Sequence, residues 1–302
     1  MKFLVLLNQS AGALAASGEG DGARRVFEGL RAGGVEAEVR AVDPASLESA
    51  ARDAARPDSG FDAVVAGGGD GTVSAVAAAM TGTGRPLGVV PLGTHNHFAK
   101  DMNVPLDLDA AVRTLARGTV RDVDVGEVNG RVFLNFTGVG LHPRLVRHRE
   151  AQRSARRRPR FIALAVALLR VLRRPPILRV RIDGGGRSIR RLTPSVIVCN
   201  NPHQMQVFGV ENVSYPGRGV LNVYLARSTR WIGLVWLMVR AMARRLDNAK
   251  NFESMALREL AISMRRRTAR VSIDGEVMDL ATPLRYRVRR AALKVIVPDG
   301  TA

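Results

Sequence analysis

The segment Ala66-Gly67-Gly68-Gly69-Asp70-Gly71-Thr72 lies between a short hydrophobic run at 61–66 and an Ala- and Val-rich run at 73–80. This order predicts a buried β-strand, a glycine-rich turn and an α-helix for which Thr72 is the N-cap. Glycines let backbone N–H groups approach a phosphate, and a helix N-terminus carries partial positive charge. A carboxylate there would repel a phosphate unless a cation lies between them, so Asp70 suggests Mg²⁺. The simpler alternative is a tight turn in which Asp70 caps local backbone.

A second motif, Pro91-Leu92-Gly93-Thr94-His95-Asn96-His97-Phe98-Ala99, follows the next predicted strand at 87–90. Ligands of parallel sheets bind at the carboxyl ends of strands, where both motifs are expected. The pair resembles the GGDGT and PLGTxNxFA motifs of the diacylglycerol kinase catalytic-domain superfamily, which includes bacterial lipid kinases, sphingosine kinases and ceramide kinases. This resemblance implies an enzyme that binds ATP and Mg²⁺ and transfers the γ-phosphate to a hydroxyl of diacylglycerol or a similar membrane lipid.

The chain divides into two predicted domains whose patterns differ. Residues 1–120 alternate apolar strands with helices, which predicts a parallel-sheet, Rossmann-like α/β domain that binds ATP. Residues 121–302 hold many strand candidates, beginning with a hairpin at Asn129-Gly130, and predict a β-sandwich domain for the lipid. The extreme C-terminus is expected to pack back on the first domain. By the resemblance, the active site lies in the cleft between the domains.

The resemblance assigns one set of residues to the nucleotide. An amino-terminal phosphate loop, NPxSG in the family, reads Asn8-Gln-Ser-Ala-Gly12 and so lacks the proline. The assigned ATP-binding residues are Asn8, Ser10, Gly12, Ala66, Gly67, Gly68, Gly69, Asp70, Gly71, Thr72, Thr94 and Asn96.

Further residues are assigned to catalysis and to the acceptor. Asp274-Gly275-Glu276 alone would indicate a hairpin turn. The resemblance instead makes Glu276 the catalytic base toward the lipid hydroxyl. It also makes Asp124 a partner of Asp70 in a water and Mg²⁺ network, and it assigns Asn135 and His97 to the substrate cleft.

Two departures from the family pattern affect the predicted metal chemistry. His97 stands where many relatives have aspartate, which removes one carboxylate from the network. Arg218 and Asn222 occupy the acidic positions of a segment that gives many bacterial relatives a structural Mg²⁺ site. Because arginine cannot ligate Mg²⁺, this second metal is not expected.

The net charge of +19 is concentrated in one part of the chain. Residues 1–120 hold 11 basic and 14 acidic residues, so the remaining 35 basic and 13 acidic residues give the rest of the chain a net charge of +22. An arginine-rich segment at 153–174 has helical amphipathic spacing. It either packs on the domain core or binds an anionic membrane surface. A nucleic-acid partner is not expected, because aromatic residues for base stacking make up only 5% of the chain.

Other classes remain as alternatives. NAD kinases share GGDGT and a two-domain plan, but PLGTxN and DGE favour the lipid kinases. His97 leaves a non-catalytic lipid-binding relative open, and the arginines leave a nucleic-acid binder open. A homodimer is compatible with the sequence. Cys199, the single cysteine, is predicted to be a buried thiol in a reducing compartment. The expected location is therefore cytoplasmic, at the inner face of the membrane and without a spanning segment.

Overall fold

The structure is a computed structural model that describes residues 1–10, 19–144, 146, 176–200, 219–228, 233–234 and 252–300. The chain forms two compact units. Unit 1 comprises Met1–Val125 and Arg289–Ala302, and unit 2 comprises Gly126–Val288. The sequence prediction placed the boundary at residue 120, with the extreme C-terminus packing on the first domain.

Unit 1 is built on a parallel sheet. Its strands are β1 (Lys2–Asn8), β2 (Glu36–Val42), β3 (Ala63–Gly68), β4 (Pro86–Pro91) and the last part of β16 (Leu284–Val297), in the order β2-β1-β3-β4-β16. Its helices are α1 (Glu19–Ala32), α2 (Leu47–Ala54), α3 (Asp70–Met80), α4 (His97–Asp101) and α5 (Leu108–Arg117), with a 3₁₀ turn at Pro44–Ser46. The predicted α/β domain is therefore confirmed.

The central strands of this sheet are hydrophobic throughout because helices cover them. All six residues of β3 are buried, and the five residues from Phe3 to Leu7 in β1 are buried as well. The core includes Val26 and Leu30 of α1 and Val112 and Leu115 of α5. This packing holds the carboxyl ends of β1, β3 and β4 at one edge.

Unit 2 is a β-sandwich, as the sequence predicted. One sheet contains β16, β13 (Glu259–Met264), β8 (Leu178–Gly184) and β9 (Arg187–Thr193), with β5 (Thr119–Val128) and β6 (Arg131–Phe133) beside β16. The other is antiparallel in the order β12-β11-β10-β7-β14-β15. Its strands are β7 (Phe136–Gly140), β10 (Ser195–Cys199), β11 (Leu221–Ala226), β12 (Phe252–Leu257), β14 (Thr268–Ile273) and β15 (Glu276–Ala281). Apolar side chains of both sheets form the core between them.

Several strand boundaries differ from the sequence prediction. The sequence predicts a strand at 257–264, but Leu257 is the last residue of β12, and β13 begins at Glu259 in the other sheet. The sequence also predicts separate strands at 284–288 and 293–297. In the structure these are one strand, β16, which continues through Ala291 although the φ of this residue is +47°. The hairpin at Asn129-Gly130 is confirmed, with φ of 47° and 82° at these residues.

The arginine-rich segment at 153–174 lies outside the described residues, as does Arg218. Asn222 is described and is buried in β11. Cys199 is 1% exposed, and burial raises the pKa of its thiol far above the ordinary value, which confirms the predicted buried thiol. Within the described part of the chain, no helix has the length and hydrophobicity to cross a bilayer.

Candidate active site

The two glycine-containing motifs of unit 1 are in direct backbone contact. The amide of Leu92 donates to the carbonyl oxygen of Gly68 at 3.0 Å. A Cβ on Gly93 would overlap the Cα of Gly69 and lie 2.8 Å from Asn96 Oδ1. Glycine is therefore required here for the close approach of two loops.

Asp70 joins the two motifs. It is the first residue of α3, and its Oδ1 accepts hydrogen bonds from the amides of His97 at 2.7 Å and Phe98 at 3.4 Å. These amides belong to the first turn of α4, where helix N–H groups have no intrahelical acceptor. The second carboxylate oxygen, Oδ2, makes neither of these bonds. Asp70 thus caps α4 and also has an oxygen that could face a cation.

The predicted N-cap role of Thr72 is wrong. Helix α3 begins two residues earlier, at Asp70, and its N-cap is Gly69. The Thr72 side chain is 4% exposed, and its Oγ1 accepts a 2.7 Å hydrogen bond from Asn8 Nδ2. The hydroxyl therefore connects β1 to α3 instead of satisfying the helix terminus.

Asn8 links the first strand to the same region. Its Oδ1 accepts the amide of Ser10 at 2.8 Å, while its Nδ2 donates to Thr72. Two predicted ATP-binding residues, Asn8 and Thr72, are thereby brought together, and Ser10 lies beside them. Gly12 lies outside the described residues.

The other predicted nucleotide-binding residues fall into two groups. Ala66, Gly67 and Gly68 lie inside β3, where a Cβ on Gly67 would overlap Leu7 and one on Gly68 would overlap Thr72. Close packing therefore accounts for the absence of side chains at Gly67 and Gly68. Gly69 and Asp70 are partly exposed and Gly71 is exposed, so the N-terminal turn of α3 is the accessible part of the motif.

In the second motif, Asn96 stabilises the turn. It has left-handed backbone angles (φ 51°, ψ 48°) and is 7% exposed. Its Oδ1 accepts the amide of Gly93 at 3.0 Å, and its Nδ2 donates to the Gly93 carbonyl at 2.8 Å. Thr94, the other residue of this motif that was assigned to ATP, is exposed.

His97 is half-buried beside Asp70. Its ring stacks on that of His95, with ring centroids 5.5 Å apart. Burial lowers the pKa of His97 below its ordinary value; the Asp70 carboxylate opposes this effect, whereas His95 and Lys100 add to it. The imidazole is therefore mainly neutral at pH 7.

Asp124 is described in β5, where its Oδ1 accepts the amide of Ala291 at 2.8 Å. This bond fixes the left-handed residue of β16. Among the described residues, no group of three or more His, Cys, Asp or Glu side chains is arranged to hold a metal ion.

In unit 2, Asp274 organises the segment that contains Asn135. The Asp274 carboxylate accepts the amides of Leu134 at 2.8 Å, Asn135 at 2.9 Å and Phe136 at 3.1 Å. The Asp274 amide donates to the Phe136 carbonyl, and the Asn200 amide donates to the Asn135 carbonyl. The left-handed φ of +45° at Asp274 and the following Gly275 form the turn that leads into β15.

Glu276 is the first residue of β15, and its side chain is exposed. It lies two residues after Asp274, so the bonds that fix Asp274 also fix the start of its strand. The sequence prediction selected only Glu276 from the Asp-Gly-Glu motif and missed Asp274. The available signal was an aspartate in the first position of an Asp-Gly turn, where a left-handed residue is required.

We expect Asp274→Ala to lower the free energy of unfolding by about 2–4 kcal/mol, because it leaves three backbone N–H groups without their charged acceptor. Urea denaturation checks this. The matched control is Asp279→Ala on β15, where the Asp279 carboxylate pairs with Arg270 at the surface. This substitution should lower the free energy of unfolding by less than about 1 kcal/mol. Equal losses for the two variants would contradict the role of Asp274.

The lowered pKa of His97 predicts a pH dependence of stability. Below about pH 6.5 the unfolded chain binds a proton at this position more readily than the folded chain, so the free energy of unfolding decreases as the pH falls. His97→Asn should lose less stability between pH 7 and pH 5 than the parent protein, as measured by urea denaturation at both values. His142 has a pKa lowered by burial to about 4, so some acid sensitivity should remain. An unchanged pH dependence in the variant would contradict this assignment.

The chain was compared with known protein families and with solved structures. Residues 2–128 match the family model of the diacylglycerol kinase catalytic domain. An uncharacterized protein of Synechocystis is 26% identical over 78% of this chain and 54% of its own length. A diacylglycerol kinase of Bacillus subtilis is 42% identical over 26% of this chain and 27% of its own length.

The chain thus spans about half of one of these relatives and about a quarter of the other. The crystal structure of a diacylglycerol kinase from Bacillus anthracis has the same fold, with a TM-score of 0.69 and 18% identity over 100% of this chain and 98% of that one. The matched region contains both glycine motifs and the Asp70 contact between them. Residues 2–128 are therefore similar to the diacylglycerol kinase catalytic domain.

Proposed function

We propose that this protein is an ATP- and Mg²⁺-dependent lipid kinase that phosphorylates a hydroxyl of diacylglycerol or a similar membrane lipid. The observation that carries the proposal is the Asp70 carboxylate. It stands at the exposed N-terminal turn of α3 and is bonded to the amides of the second motif. This arrangement lies within a catalytic-domain family of kinases.

The nucleotide phosphates would bind at the N-terminal turn of α3. Its first amides have no acceptor within the helix, and the helix dipole favours an anion there. Gly69 and Gly71 would let phosphate oxygens approach the backbone, while Asn8 and Ser10 lie next to Thr72 in the same region. These contacts would orient the γ-phosphate for transfer.

The residues present are compatible with Mg²⁺, which prefers oxygen ligands and usually combines one or two carboxylates with substrate phosphates. Asp70 Oδ2 would be a ligand, and Asp124 remains a second candidate. When bound, the ion would supply charge neutralisation for the phosphates. His97 supports the site indirectly, since its amide positions the Asp70 carboxylate.

Glu276 would accept the proton of the lipid hydroxyl. In the transfer, the bond from the γ-phosphorus to the bridging oxygen breaks, ADP leaves, and a new phosphorus–oxygen bond joins the lipid. The exposed carboxylate at the start of β15 can carry the proton, and Asp274 holds the turn that precedes it. Asn135 lies in the segment that Asp274 fixes and would line the acceptor site.

Two isosteric variants test this assignment. Asp70→Asn keeps an oxygen for the α4 amides but removes the negative charge, and Glu276→Gln removes the base. Each should lower phosphate transfer from ATP to dioctanoylglycerol by about 10²–10⁴-fold. Asp279→Asn, on the same strand as Glu276, should retain full activity. Near-normal transfer by either isosteric variant would refute the role of that residue. Phosphorylation of NAD without any lipid product would refute the proposal that the acceptor is a lipid.

We further propose that the arginine-rich segment at 153–174 contacts anionic membrane. The supporting observation is its sequence: basic residues near such a surface contribute about 1 kcal/mol each, and the attraction decays within a Debye length of about 8 Å. Changing Arg156, Arg157, Arg158 and Arg160 together to glutamate should release the protein from phosphatidylserine vesicles. Co-sedimentation at low and high salt measures this. Binding that responds to neither the substitution nor salt would contradict the proposal.

A further inference from the structure

The sheet of unit 2 that contains β8 and β9 has an outer face with several exposed arginines. Val180 of β8 belongs to the sandwich core. Because side chains alternate along a strand, Arg179 and Arg181 lie on the opposite, outer face, and both are exposed. Leu192 of β9 stands directly opposite Arg179 in the antiparallel pair. Arg190 stands opposite Arg181 in the same way, so all four side chains share this face.

A neighbouring turn brings three more arginines to one end of this sheet. Arg265–Arg267 connect β13 to β14, and all three are exposed. Met264, the residue before the turn, stands opposite Val180 in the pairing of β13 with β8. Since Arg179 is the neighbour of Val180, the turn lies at the end of the sheet where β8 begins. We define the basic end patch as Ile177, Arg179, Arg190, Leu192 and Arg265–Arg267.

The basic end patch also contains exposed apolar side chains. Ile177 is 45% exposed and Leu192 is 54% exposed. They are the large apolar side chains left exposed in the part of unit 2 that the structure describes. Ile177 lies two residues before Arg179 and is therefore diagonal to Leu192 across the strand pair, at about 8 Å. Neighbouring exposed apolar side chains that are bordered by charged ones indicate a surface for a partner or a membrane.

The positive charge of the patch is not neutralised within the described residues. There, no carboxylate forms an ion pair with Arg179 or with the turn at Arg265–Arg267. Asp183, the acidic residue of β8, lies further along the strand and is bonded to Arg181 at 2.9 Å. Glu259 is at the far end of β13 from the turn. The patch therefore presents uncompensated arginines beside two apolar side chains.

This combination suits an anionic bilayer better than a nucleic acid. Arginines are attracted to acidic lipid headgroups, and apolar side chains gain free energy by entering the boundary between headgroups and acyl chains. Proteins that bind single-stranded nucleic acid stack bases on aromatic side chains, and no residue of the patch is aromatic. The arginine-rich segment at 153–174 ends three residues before Ile177, so its chain enters the described sheet at this patch.

We propose that the basic end patch docks unit 2 on an anionic phospholipid bilayer. Ile177 and Leu192 enter the headgroup region, and the arginines bind lipid phosphates. This inference rests on the proposed function, because a kinase whose acceptor is a membrane lipid must reach a bilayer. Strand β14 separates the turn from the Asp-Gly-Glu motif, and its six residues span about 20 Å. The patch therefore holds the protein at the membrane and takes no part in phosphate transfer.

A charge-removal variant tests the patch. Changing Arg265, Arg266 and Arg267 together to glutamine should lower partitioning onto mixed phosphatidylcholine and phosphatidylserine vesicles by about ten- to hundredfold, as measured by co-sedimentation. Each basic residue near such a surface contributes about fivefold. The side chains are exposed, so the melting temperature should not change. If it falls, Arg266→Gln alone replaces the triple variant, with an expected loss of about fivefold.

The matched control removes the same charge from unit 1. Arg31, Arg113 and Arg117 are exposed on α1 and α5, and changing all three to glutamine should alter vesicle partitioning by less than about twofold. The reason is that electrostatic attraction decays within a Debye length of about 8 Å. Equal losses in the two triple variants would mean that only net charge matters, and unchanged partitioning of the patch variant would also overturn the proposal.

A fluorescent label tests whether the apolar part of the patch enters the bilayer. Leu192→Cys can be labelled selectively, because the native Cys199 is 1% exposed. An environment-sensitive dye at position 192 should shift to shorter wavelength on phosphatidylserine vesicles and become protected from an aqueous quencher. Val120→Cys is the control, since Val120 is 51% exposed in unit 1. A shift at neither position, or equal shifts at both, would contradict the proposal.

The remaining measurements separate this inference from the kinase activity and from nucleic-acid binding. The vesicle experiments contain no ATP, and the patch variant should phosphorylate dioctanoylglycerol in uncharged detergent as fast as the parent protein. If neither protein transfers phosphate while only the parent binds vesicles, the patch is supported and the kinase activity is refuted. If the patch variant loses binding to single-stranded DNA but keeps binding to vesicles, the surface belongs to a nucleic acid and the proposal is overturned.

Discussion

The region where the two glycine motifs of unit 1 meet depends on one hydrogen-bonded carboxylate, that of Asp70. Its Oδ1 accepts two amides at the start of α4, so the loops after β3 and β4 are held together by a charged acceptor and not by side-chain packing. Gly69 and Gly93 make this possible by allowing the loops to meet at backbone distance. Two further hydrogen bonds stabilise the neighbouring segments: Asn8 to Thr72 links β1 to α3, and Gly93 to Asn96 stabilises the turn after β4. A residue that is expected to serve a metal is thus also part of the framework.

Unit 2 also contains an aspartate carboxylate that accepts several backbone amides. Asp274 accepts three consecutive amides from the segment between β6 and β7, just as Asp70 accepts two from α4. In both motifs a glycine follows the aspartate at the start of a regular element: Asp70 is the first residue of α3, and Asp274 lies two residues before β15. A carboxylate that accepts several backbone N–H groups is strongly held, because each bond is charge-assisted. Each unit therefore positions its candidate residues through a short acidic turn.

The sequence predicted the fold class of both units but missed some elements and residues of the candidate site for physical reasons. The α/β and β-sandwich classes followed from the period of the hydrophobic residues, and the Asn129-Gly130 turn from its required left-handed angles. Thr72 was misassigned because local capping preference cannot reveal a partner as distant as Asn8. Strand β15 was not predicted because its residues are exposed or only partly buried, which leaves little periodic signal. Asp274 was missed because the backbone amides that donate to its carboxylate lie more than a hundred residues away in the chain.

The chain crosses between the units twice, within β5 and within β16. Unit 2 is consequently an insertion in the sequence of unit 1, whose parallel sheet receives its β16 strand from residues that follow unit 2 in the chain. The region that matches the catalytic-domain family ends at residue 128, yet Leu293, Val295 and Ile296, which are at most 4% exposed, belong to the same unit. The boundaries of the recognisable sequence are therefore not the boundaries of a cooperative folding unit. During synthesis on the ribosome, the parallel sheet of unit 1 cannot be completed until β16 has emerged, so the strands of unit 2 that precede β16 can pair before that sheet is complete.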